Sequence, residues 1–209
     1  MENRGGRWQE VMATATWATA HPSGDTAQDL RVGDFLLTGA TSRRFVSRAI
    51  KFGARLRGFD AKERRFSHTA LIIGEDGDLA EALSKGVKHT HIAKYAPVDY
   101  VVVHTGVDEH DQRQVLEFAR SVLNEKATYD SVEIVGLAIY CLTGAQLCIQ
   151  KAGTAICSGF VSDALTRSDF IWPRPPFAMM PADLARYFKA QLDNPTGVTA
   201  VRSQPARLR

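Results

Sequence analysis

Three cysteines, Cys141, Cys148 and Cys157, and six histidines supply the side chains in this chain best suited to nucleophilic chemistry. Cys157 is set apart by its surroundings. In "AGTAICSGFVSDALTR" (152–167), Cys157, Phe160, Val161, Ala164 and Leu165 recur at helical spacing. That pattern predicts a helix with one apolar face, and with Ser158, Ser162, Asp163 and Arg167 turned away from it. A thiol in the first turn lies against unpaired backbone N–H groups and the positive end of the helix dipole, and both favour its thiolate. A buried free cysteine also serves as a small hydrophobe, so the helix alone leaves packing and nucleophile both open. A nucleophilic thiol needs a base. His21 lies in the N-terminal arm, His110 opens an exposed helix, His104 ends a strand, and His89 and His91 alternate within a polar stretch. His68 instead starts a run of core residues, Thr69 to Ile73, and is the best base for Cys157.

The elements that must position these two residues follow from hydrophobic period and turn chemistry. "RVGDFLLTG" (31–39) predicts a strand, and "SRRFVSRAIKFGARLRG" (42–58) a helix capped by Ser42, with Phe45, Val46, Ala49, Ile50 and Gly53 inward. "SHTALIIG" and "DLAEALS" predict short strands joined at Asp76-Gly77, a strong hairpin signal. "DYVVVHTG" predicts another strand, and a helix follows from Asp108 to about Glu125. "TYDSVEIVGLAIYCLTG" predicts a buried helix. Beyond the Cys157 helix, four prolines interrupt "FIWPRPPFAMMP", and "PADLARYFKAQL" starts a helix at Pro181. The order of elements indicates an α+β domain over 29–193, with a short helix or disordered arm over 1–28 and a disordered basic tail over 194–209.

Composition narrows the classes. The 209 residues are 44% hydrophobic and 23% charged, as in an ordinary globular domain. A net charge of +3 is too mild and too diffuse for a nucleic-acid binder. The basic cluster at 43–57 reads as a solvated helix face, or as a surface for anionic lipid headgroups. The cysteines form no CxxC pair and no zinc-ligand set, so no metal is expected, and their odd number favours free thiols. Neither a signal peptide nor an apolar run of spanning length is legible, which makes a cytoplasmic protein the default and leaves non-classical export open.

Taken in order, "RVGDFLLT", "SHTALIIGEDGDLAEAL", "TYD" (128–130), "ICSGFVSDAL" and "PADLARYF" resemble the circularly permuted branch of the NlpC/P60 papain-like superfamily. That branch includes YiiX/YaeF-like hydrolases and the lecithin retinol acyltransferase group. His68 precedes Cys157 here, the reverse of the order in ordinary members. The resemblance spans roughly residues 31–190. It implies a permuted papain-like fold, with an antiparallel sheet packed against the nucleophile helix. It places the nucleophile on Cys157, the base on His68 and the ring-orienting residue on Glu81. Tyr129 falls where the family often puts a tyrosine facing the reaction centre, Ser158 follows the nucleophile, and Trp172 belongs to an apolar run suited to line a substrate cleft. Two departures are Ile156, where ordinary members have Asp, and a lengthening of the chain over 140–154, read as an insertion.

Glu81 raises a distance problem. A two-residue Asp76-Gly77 turn pairs Glu75 with Asp78 and sets Glu81 opposite Ile72. At about 3.3 Å per residue that is too far from His68 for contact. A bulge, a wider turn or strand coiling must close the gap, or His89, His91 or Asp130 must serve instead. The implied activity is hydrolysis of an amide or ester in a peptide or lipid acyl substrate through a thioester, with no cofactor. The oxyanion would be met by the Cys157 N–H and by a second donor such as the Tyr129 hydroxyl. The rival readings are a lipid acyltransferase or phospholipase, a non-catalytic binding module, and an anionic membrane-binding domain with incidental thiols.

Overall fold

The computed structural model describes residues 18–39, 44–83, 86–124 and 157–189, and for 44–49 the backbone only. Six strands form one antiparallel sheet: β1 (Ala18–His21), β2 (Phe35–Thr38), β3 (His68–Ile72), β4 (Asp78–Leu83), β5 (Gly86–His91) and β6 (Tyr100–Val103), in the order β1-β6-β2-β3-β4-β5. Among the described residues four helices accompany them: α1 (Arg44–Leu56), α2 (Glu109–Asn124), α3 (Cys157–Thr166) and α4 (Pro181–Phe188). The protein is therefore a mixed α+β structure. The helix expected over "TYDSVEIVGLAIYCLTG", the 140–154 insertion and the tail over 194–209 lie outside the described residues.

The central strands are apolar on both faces because both are covered. Phe35, Leu37, Leu71, Val101 and Val103 join Phe160, Val161, Ala164 and Leu165 of α3, Val115 and Ala119 of α2, and Leu184 and Phe188 of α4. On the opposite face Leu36, Ala70, Ile72, Leu79 and Val102 pack with Ala27, Leu30, Ile92, Tyr95 and Tyr100. Helix α3 is buried nearly all round, as expected of a helix held between other elements rather than lying on a surface.

Three differences from the sequence reading have identifiable causes. Residues 18–21, expected in a helix or a disordered arm, pair in register with β6. The valine-rich β6 offers an edge that a short Ala/Thr segment can complete. "GVKHTH", expected as a polar stretch, is edge strand β5 against β4, and its exposed Lys88 and His89 conceal it from any hydrophobic period. The hairpin between β3 and β4 is wider than two residues. Leu71 faces Ala80 and Ile72 faces Leu79, so the loop is Gly74 to Gly77, closed by the Ile73 N–H donating to the Asp78 carbonyl at 2.8 Å. The loop is set from outside. The Gly77 carbonyl accepts from the Ile92 N–H, and a Cβ on Gly77, whose φ is +100°, would lie 2.6 Å from Ile92 Cγ2.

Candidate active site

Widening the hairpin by two residues keeps Glu81 on the face of His68 and brings it two positions closer, beside Ala70. The distance problem disappears. Glu81 Oε1 lies 3.7 Å from His68 Nε2, and the carboxylate is wholly buried. Two groups hold it there: the Tyr95 hydroxyl donates to Oε1 and the Lys94 ammonium to Oε2. Both come from the short helical turn Ile92–Tyr95 that follows β5, and the ring of Tyr95 also stacks on His68 with centroids 6.4 Å apart.

Cys157 is the first residue of α3, and His68 is the first residue of β3. The helix packs on one face of the sheet, while the alternation of β3 puts His68 with Ala70 and Ile72 on the other. At the strand's first residue the sheet no longer separates the two layers, and the thiol meets the imidazole there. With Nε2 toward Glu81, Nδ1 is the ring nitrogen left for the sulfur. The Thr69 and Ser158 N–H groups also donate to the sulfur.

The electrostatics favour a charged pair. Burial raises the proton affinity of the Cys157 thiol, but the His68 imidazolium and the two backbone N–H groups outweigh it and hold the thiol below its ordinary value. Burial disfavours protonated His68, yet the Cys157 sulfur and the Glu81 carboxylate lift its pKa to about 9. For Glu81, burial is overcome by donors from His68, Lys94 and Tyr95, which bring its pKa down to about 2. Burial and the neighbouring Glu81 push the Tyr95 phenol well above its ordinary value, so Tyr95 remains a donor. A thiol of lowered, an imidazole of raised and a carboxylate of lowered proton affinity thus stand in sequence.

Other residues around the motif have structural work. Ser158 was expected at the substrate site and, with Ser162, on an outward face, yet both are fully buried. The Ser158 hydroxyl donates to the Met179 carbonyl at 2.6 Å and is engaged in fastening the proline loop to α3. Gly159 serves the same join, because a Cβ there would lie 3.1 Å from the Pro176 carbonyl oxygen. Trp172, expected to line a substrate cleft, has its ring in the core. It is buried among Phe170, Tyr187 and Phe188, and its indole N–H donates to the Ser162 carbonyl at 2.9 Å. Of the apolar run around it, Met179 and Met180 are buried and only Ile171 and Phe177 are substantially exposed.

The remaining candidates separate clearly. His104 Nδ1 donates to Asp34 at 2.8 Å, joining β6 to the start of β2. His21 donates to Asp25 at 2.8 Å and stacks on Tyr100. His89 pairs with Asp78 at 3.0 Å across the exposed edge. His91 donates to the Asp76 carbonyl at 2.8 Å and accepts from the Ala93 N–H, supporting the hairpin loop. None of these four takes the place of Glu81. Tyr129, Asp130, Cys141 and Cys148 lie outside the described residues. Sequence reasoning missed Lys94 and Tyr95. The only local signal was the spacing of Ile92 and Tyr95 as two apolar residues three apart in "IAKY", which marks a turn and says nothing of a carboxylate. Among the described residues no group of His, Cys, Asp and Glu could hold a metal ion, and no helix is long and apolar enough to cross a membrane.

Comparison with protein-family models, with curated proteins and with solved structures gave no match to this chain.

Proposed function

We propose that the chain is a cysteine-nucleophile hydrolase of amide or ester bonds, built on a circularly permuted papain-like fold. The observation that carries this reading is the alignment of Cys157, His68 and Glu81, with the thiol lowered and the imidazole raised in proton affinity. In the reaction the Cys157 thiolate attacks the acyl carbon, and the new C–S bond drives the carbonyl electron pair onto oxygen. His68 gives its proton to the departing amine or alcohol, the C–N or C–O bond breaks, and a thioester remains. Water then attacks the thioester while His68 takes its proton. Collapse of that intermediate releases the acid and restores thiolate and imidazolium. Glu81 touches no substrate in this scheme; it keeps the ring oriented and its positive charge favourable. An alcohol or amine acceptor in place of water would make the same intermediate an acyltransferase step.

Alkylation by iodoacetamide across pH 4 to 9, located by mass spectrometry, tests the nucleophile. Cys157 should reach its reactivity plateau well below the ordinary thiol pKa of 9.0, and His68→Ala should move that plateau upward. Incubation with an activated ester should add one acyl group to the wild type and none to Cys157→Ala. Reaction of Cys157 no faster than Cys141 and Cys148, with no acyl adduct, would leave a papain-like binding module.

A further inference from the structure

Helix α1 carries a surface unrelated to the thiol. Ile50 and Ala54 pack inward with Phe59, Met180 and Ala182. Phe52 and Leu56, one turn apart, are instead 52% and 54% exposed, so the helix expected to present a solvated basic face is partly apolar on its outer side. Arg55, also exposed, runs beside them, and Lys51, partly buried, donates to the Gly39 carbonyl at 3.2 Å. From Arg43 to Gly58 the chain has six basic residues and no Asp or Glu. Arg57 donates to the Ala178 carbonyl at 3.3 Å, which brings Phe177, 46% exposed, to the border of the same surface.

We propose that this face of α1 docks on an anionic bilayer, with Phe52 and Leu56 entering the headgroup boundary and Arg55 and the other basic residues of the segment meeting lipid phosphates and carboxylates. Paired exposed apolar side chains on a helix whose charged residues are all basic are what an interfacial helix requires. A second copy of the chain is a poor occupant, since a shared face would set one basic helix against another. Phe177 is adjacent in space to Gly159, within the first turn of α3, so docking would bring the nucleophile helix close to the lipid surface. The docking itself is independent of whether Cys157 is catalytic.

Sedimentation with vesicles tests it. The wild type should bind vesicles of phosphatidylcholine containing about a third phosphatidylserine, fail to bind phosphatidylcholine alone, and lose binding as salt shortens the screening length to about 3 Å near 1 M. The double variant Phe52→Ser/Leu56→Ser should bind roughly ten- to a hundredfold more weakly, with unchanged thermal unfolding. Arg55→Glu should weaken binding by roughly tenfold, while Cys157→Ala should bind like the wild type. Absence of binding to anionic vesicles, equal binding to neutral ones, or undiminished binding by both surface variants would overturn the proposal. So would a dimer in light scattering that the double variant abolishes, since a second copy would then cover the face.

Discussion

Glu81 and its two donors decide how His68 behaves. With the carboxylate drawn down to about 2, its charge persists through the working range and adds to the larger pull of the Cys157 sulfur in raising the imidazole to about 9. Glu81→Gln would keep a hydrogen-bond acceptor but remove the charge. The alkaline limb of the activity profile should therefore move from near 9 toward the ordinary histidine value of 6.5, and kcat should fall roughly a hundredfold or more. A pH series of kcat and of alkylation rate, compared with the wild type, checks both shifts. In the proposed hydrolase Tyr95 positions Glu81 through its hydroxyl. Removing its hydroxyl in Tyr95→Phe withdraws a donor from a buried charge, which costs about 1.5–3 kcal/mol of stability, measurable as a lower urea midpoint. It should also loosen the ring's orientation, so kcat should drop while KM stays near that of the wild type.

At the scale of elements, the residues flanking Cys157 in "CSGF" are explained by joins. Cys157 supplies the sulfur, Ser158 and Gly159 seat the proline loop, and Phe160 enters the core. Ser158→Ala leaves the buried Met179 carbonyl without its donor. It should destabilise the fold by about 1–3 kcal/mol, seen in denaturant unfolding, with little change in the alkylation rate of the molecules that remain folded. Gly77 governs the other half of the site. A side chain there meets Ile92 at 2.6 Å and is strained at a φ of +100°, so Gly77→Ala should cost about 1–3 kcal/mol. It should also displace the Ile92–Tyr95 turn that carries Lys94 and Tyr95. The expected result is lower stability together with slower Cys157 alkylation at neutral pH, a combination that Ser158→Ala should not show.

Over the whole molecule, the site ties stability to pH. Taken alone, Glu81 has a folded pKa of about 2 against an ordinary 4.5. Its contribution is fully present above 4.5 and is lost as pH falls toward about 2. His68 has a folded value of about 9 against 6.5, so its contribution is full below 6.5 and is lost as pH rises through about 9. Cys157 runs the opposite way. Its lowered value adds stability that is full above the ordinary 9.0 and shrinks as pH falls. Between 6.5 and 9 the two slopes oppose, because folded His68 keeps a proton that the unfolded histidine has lost while folded Cys157 gives its own up more readily than the unfolded thiol. Urea midpoints should be nearly level there. The gap between wild type and Glu81→Gln should narrow as pH falls from 4.5 toward 2.

Much of this protein could be read in its residues taken a few at a time. The period of "CSGFVSDAL", the apolar runs of β2, β3 and β6 and the proline at the start of α4 are local properties, and each produced an element within a few residues of its observed bounds. The choice of Cys157 and His68 also rested on local setting: one opens a helix and the other opens a buried strand. The meeting of Glu81 with His68 was not local. A dipeptide turn signal gave a register that kept them apart, and the contacts of Gly77 with Ile92, from beyond the next strand, selected the wider loop that brings them together. Lys94 and Tyr95 were hidden for the same reason, since their value depends on what lies across β4. Strands β1 and β5 carry too little apolar pattern to declare themselves and exist because β6 and β4 present unpaired edges. Sequence by itself determined which residues were chemically able and which segments could fold locally. Tertiary structure decided which of them meet, because register and edge pairing are settled by contacts between residues distant along the chain.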